Sequence, residues 1–140
     1  MQIDNNHDNI ELTLPINAAY VSAVRLTASS IAYRMGFEID CIEDIKSAVS
    51  EACTFIIKKI PKQHAIDNSF KIIFDLKNDS IEILIKLVRA VEFVDFENEM
   101  SLLVLKALVD SLDVDISGNK LTSLKLTKLK KENILETLEG

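Results

Sequence analysis

The sequence predicts an α+β protein: a two-layer sandwich whose mixed, mainly antiparallel sheet is covered on one face by three helices. Two kinds of periodicity predict it. Apolar residues alternate with polar ones in several short runs, the period of half-buried strands. Between those runs, apolar residues recur at spacings of three and four, the period of helices with one buried stripe. The resulting order is strand, helix, helix, two strands, helix, two strands, which segregates helices from a largely antiparallel sheet.

Ile10, Leu12 and Leu14 alternate with Glu11 and Thr13, and Pro15 closes this first strand. Asn17 is a good N-cap for a helix that ends at Gly36. Val21, Val24, Ala28, Ile31 and Met35 form its apolar stripe; Ser22, Arg25, Ser29 and Tyr33 form a second stripe that faces elsewhere. A second helix starts near Asp40, repeats through Ile42, Ile45, Val49, Ala52, Ile56 and Ile60, and is stopped by Pro61. Two strands then alternate through Phe70–Lys77 and Ile81–Leu87 about an Asn78-Asp79 turn. A third helix is expected over Glu97–Leu112. It is so apolar, from Met100 to Val109, that burial on more than one face or a role in a dimer is expected. Strands near Val114–Ser117 and Leu121–Lys128 meet at Gly118-Asn119. Lys120, Lys125, Lys128, Lys130 and Lys131 are read as lysines of an edge strand, which discourage aggregation.

The chain's 140 residues fit one domain, 1–140, with a flexible N-terminus over 1–8 and a tail over 129–140. A composition of 48% hydrophobic and 27% charged residues is that of an ordinary folded protein. The net charge of −6 argues against direct nucleic-acid binding, which needs a basic surface. No apolar run approaches the roughly 20 residues of a membrane span, and the polar start is no signal peptide. Cys41 and Cys53 read as unpaired thiols in a reducing cytoplasm. His7 and His64 fall in polar segments and are assigned no role, while Glu43, Asp44 and Asp110 are read as solvated helix charges.

Ile42–Val49 followed by Ser50-Glu51-Ala52-Cys53-Thr54-Phe55, with Val21–Thr27 upstream, resembles the anti-sigma factors with serine-kinase activity of the GHKL ATPase superfamily. The resemblance implies the Bergerat fold. It also implies an E-x-x-x-N helix in which the Glu is a general base and the Asn holds Mg²⁺. Glu51 matches the base, but Phe55 stands at the Asn position and offers a hard cation no ligand. The family's adenine-binding D-x-G-x-G falls on Leu87–Phe93, which contains neither Asp nor Gly. Its phosphate-binding glycines fall on Glu99 and Ser101. A carboxylate there repels a triphosphate, and glycine's close backbone approach is lost.

No catalytic residue and no cofactor are therefore expected: Glu51 is a vestigial base, and Phe55, Glu99 and Ser101 replace ligand positions. The family's partners are a sigma factor and a STAS-domain antagonist, which compete for the first helix. The matching partner residue here is Arg25, and Ser22 and Ser29 of the same stripe are expected to join it in the partner-binding face. A homodimer through a sheet edge is also implied. The expected function is a sigma-binding regulator that needs no ATP. The alternatives are an active ATP- and Mg²⁺-dependent serine kinase with Glu51 as base, and a non-catalytic dimer partner of a true kinase paralogue.

Overall fold

Strand β1 (Asp8–Pro15) forms one edge of the sheet and runs antiparallel to β2 (Ser69–Leu76), from Asp8↔Leu76 to Pro15↔Ser69. The computed structural model describes residues 8–92 and 100–131. After β1, the Asn17 side chain accepts the Ala19 N–H at 2.9 Å and caps a single 3-10 turn, Ala18–Tyr20, from which α1 (Val21–Met35) continues. Gly36 ends α1 at φ 90°, a left-handed conformation open to a residue without Cβ. Helix α2 (Ile39–Lys59) stops before Pro61, and a single turn, α3 (Lys62–Ala65), precedes β2. Four residues are too few to leave a periodic signal, so α3 was not legible in the sequence.

Strand β3 (Ser80–Glu92) returns beside β2 and is followed by α4 (Met100–Leu108), β4 (Ser111–Ser117) and β5 (Lys120–Leu129). The strand order is β1-β2-β3-β5-β4, and every pairing is antiparallel, so the expected mixed sheet is an antiparallel one. Register fixes which side chains turn inward. Phe74, Ile83 and Leu126 form one buried row across β2, β3 and β5; Ile72, Ile85 and Leu124 form the next. Helix α2 lays Ile45, Val49, Ala52 and Ile56 into this core, and α1 adds Val24, Ala28, Ile31 and Ala32. Helix α4 packs mainly on α2. None of the described helices is long and apolar enough to cross a membrane.

Several expectations are corrected. The third predicted helix, α4, ends at Leu108, because Asp110 already donates its N–H to the Thr127 carbonyl at 2.9 Å and β4 begins at Ser111. Its apolar excess is not buried on several faces: Leu102 and Leu105 are buried, whereas Met100 and Leu103 are exposed. The lysine-rich strand β5 is interior, lying between β3 and β4. His64 lies in α3 as an exposed residue, while His7 and 132–140 fall outside the described residues.

Asp44 and Asp110 are not simply solvated. Lys128 shares the inward parity of Leu124 and Leu126, and only 6% of it is exposed. Its ammonium donates to the Leu108 carbonyl at 2.7 Å and to Asp44 Oδ2 at 3.2 Å. A buried cation persists when hydrogen-bonded counter-groups replace its water. This one also sits at the carbonyl end of α4, where positive charge is favoured. Asp110 in turn accepts the Leu129 N–H at 2.7 Å.

Two outcomes are expected. Asp44→Ala strands the Lys128 ammonium; because the Asp44 side chain is 43% exposed, the loss is about 1–3 kcal/mol rather than the larger cost of breaking a fully buried pair. Lys128→Met removes the charge itself and loses less, both read as urea midpoints. Burial pushes the Cys53 thiol from 9.0 up to about 12. The folded chain keeps a proton that the unfolded chain releases, so this contribution is full below 9.0 and declines as pH rises towards about 12. Cys53→Ala should lose less stability than the parent over that range in urea titrations.

Candidate nucleotide-site face and partner face

Glu51 and Phe55 stand one turn apart on α2 and so share one side of the helix, which packs against α4. Glu51 is half-buried, and its Oε2 accepts the Ser101 hydroxyl at 2.6 Å. Ser101 is the second residue of α4, so this bond joins the first turn of α4 to the middle of α2. At that length it is a charge-assisted bond, stronger than one between neutral groups. Sequence reasoning placed Ser101 at a lost glycine position but did not foresee that its hydroxyl would engage Glu51. Fifty residues separate the two, and no local pattern links them.

Phe55 is 2% exposed, and its ring joins the core. Burial of such a ring contributes roughly 1.5–3 kcal/mol. The Lys59 ammonium lies 6.0 Å from the ring centroid, at the outer limit of a cation–π contact. Carbon and hydrogen are all this ring offers, so the position supplies Mg²⁺ no ligand. Of the two side chains, Glu51 alone brings oxygens, and one of them is held by Ser101.

The segment matched to the adenine element is strand as far as Glu92. Between Lys86 and Val91 the register of β3 against β5 shifts: these residues pair with Ser123 and Leu121, so β3 bulges. On the other side of the bulge, buried Asn68 acts in place of a main-chain partner. Its Nδ2 donates to the Arg89 carbonyl and its Oδ1 accepts the Arg89 N–H, both at 2.9 Å, and the same oxygen accepts Ser69 N–H. Asn68 was not singled out in the sequence, where an Asp-Asn pair before a strand reads as ordinary turn chemistry. Glu99 lies outside the described residues.

The second face belongs to α1. Ser22 and Arg25 are exposed, Ser29 is half-buried and Tyr33 is 75% exposed. Leu26, 68% exposed, lies four residues after Ser22 and three before Ser29, within the same stripe. Its signal in the sequence is a leucine outside the apolar repeat of Val24, Ala28 and Ile31. Arginine and tyrosine are enriched among the anchors of protein interfaces, and Leu26 adds exposed apolar surface beside them.

Ser101→Ala should cost about 1–2 kcal/mol, since a half-buried carboxylate loses a donor. Combined with Glu51→Gln in a double-mutant cycle by urea denaturation, the pair should show coupling on the order of 1 kcal/mol.

No family model matches the chain. Curated proteins do. The serine-protein kinase RsbW of Bacillus cereus (strain Q1) is 42% identical over 78 residues, which is 56% of this chain and 48% of that protein. The serine-protein kinase RsbW of Bacillus mycoides (strain KBAB4) is 41% identical over 78 residues, with the same shares. The chain thus spans about half the length of the curated relatives it matches. Among solved structures, the RsbU and RsbW domains of Rv1364c from Mycobacterium tuberculosis superpose with a TM-score of 0.68 at 15% identity, covering 89% of this chain and 33% of that one. That likeness establishes a shared fold. Over a little more than half its length the chain is thus similar to serine-protein kinases named RsbW, and it shares the fold of a solved structure that contains an RsbW domain.

Proposed function

We propose that this protein is an anti-sigma-type regulator that holds a sigma factor, or the STAS-domain antagonist of one, through the exposed face of α1, and that it does so without ATP. One observation carries the second half of this reading. The position that would ligate Mg²⁺ is a core phenylalanine, Phe55, and the neighbouring carboxylate of Glu51 is bonded to Ser101. A general base without metal or phosphate to act on does no phosphoryl transfer. The first half rests on the kinship with RsbW kinases and on Ser22, Arg25, Leu26 and Tyr33 standing free of the core. Arg25 would pair with a partner carboxylate by its planar fork, with Leu26 and Tyr33 supplying the apolar anchor.

A second reading, an active serine kinase acting on a STAS-type partner, is favoured by the similarity to proteins named serine-protein kinases and by the presence of Glu51. Titration with Mg-ATP separates the two. No heat and no phosphate transfer are expected; micromolar binding, or phosphate on a serine of the antagonist, would replace the first reading with the second. Homodimerisation through an open sheet edge, β1 or β4, belongs to the same proposal.

Arg25→Glu should weaken capture of the sigma factor at least tenfold in surface-plasmon measurements and leave the urea midpoint unchanged. Unaltered capture would remove α1 from the interface.

A further inference from the structure

A cavity of about 610 Å³ opens where the end of α2, the turn α3 and the bulged end of β3 meet the start of β5. Its walls carry three permanent cations, Lys59, Arg89 and Lys120, against two acids, Asp67 and Glu92. Among the described residues cations thus outnumber acids along these walls, in a protein whose net charge is −6. Among the described residues, neither Arg89 nor Lys120 enters an ion pair, although other surface lysines do. Arg89 and Lys120 are both exposed, so their charges remain available to a ligand.

The wall is also fixed in place. Asn68, 5% exposed, grips both main-chain polar groups of Arg89, where the β2–β3 ladder would otherwise pair residue with residue. The bulge between Lys86 and Val91 frees this stretch of β3 from β5 and lets it line the cavity. A guanidinium on a clamped backbone loses little freedom when it closes on two oxygens.

We infer that this cavity is a binding site for a small multivalent oxyanion, a di- or tricarboxylate or a phosphorylated metabolite, with Arg89 as the bidentate contact and Lys120 as the second charge. Its volume lies in the range of small-ligand sites. The inference is independent of the partner face on α1 and requires no metal.

Citrate and inorganic phosphate are the probes, titrated into the ¹⁵N-labelled full chain at constant ionic strength. Saturable shifts at the amides of Asn68, Arg89 and Lys120 are expected, with millimolar or tighter affinity. The tighter of the two probes assigns the site to carboxylates or to phosphates. Arg89→Gln with Lys120→Gln should weaken that binding at least fivefold while sigma-factor capture stays unchanged. Both positions are exposed, and circular dichroism verifies the fold of the variant. Non-saturating shifts scattered over the surface, or equal affinity in the double variant, would overturn the site. Mg-ATP bound at the same amides more tightly than either probe would overturn it too, and with it the ATP-independent reading; loss of capture at Arg25 alone would leave the cavity standing.

Discussion

Everything in this structure is organised around the seating of α2. One side of the helix lays Ile45, Val49, Ala52 and Ile56 on the sheet, and this fixes its rotation about its own axis. That rotation leaves Glu51 within reach of α4 and buries Phe55 one turn further along. A residue placed at position 55 therefore has two options: to serve a ligand between the helices, or to join the packing. Phenylalanine joins the packing, and α4 comes close enough for Ser101 to reach Glu51. The apolar driving force for that closure is of the same order as the hydrogen bond that accompanies it. Closure is thus shared between a ring and a hydroxyl from different parts of the chain.

The two faces of the molecule divide its chemistry. The α2–α4 face is internally satisfied. On α1, by contrast, Leu26 and Tyr33 remain in water although the core offers apolar surface to the other side of the same helix. The fold is shared with a structure that contains an RsbW domain, and on this chain it leaves the Leu26 and Tyr33 side of α1 uncovered. Fold alone does not transmit function; what is transmitted here is the geometry that presents α1.

Much of this was legible in the sequence, and the reasons differ by element. The strands and the first two helices followed from periodicity, because each has one buried side and one wet side. Gly36 and Pro61 mark helix ends by backbone constraint, and the structure places the ends there. The third helix misled because its apolar residues surround it. Leu103 and Leu105 look alike in a sequence, yet one is exposed and the other buried. Strand order was not legible either: lysines on β5 suggested an edge, but the chain returns by α4 and β4 to place β5 inside. Of the site, Glu51 and Phe55 could be named from their spacing. The engagement of Glu51 by Ser101, and the grip of Asn68 on Arg89, are long-range contacts that periodicity does not encode.

The lysine inside the sheet has one consequence for how the molecule comes apart. Its ammonium gathers the carbonyl terminus of α4, the aspartate of α2 and the strand that carries it into a single knot. Fraying of α4 from its C-terminal end would abandon a charge in a nonpolar interior, so that end is anchored. Among the described residues, the first turn is held by buried Leu102 and by the Ser101 hydroxyl on Glu51, with no buried charge to strand, so it is the weaker hinge. Local opening should start there, swinging the helix outward about its far end before the rest of the core is breached.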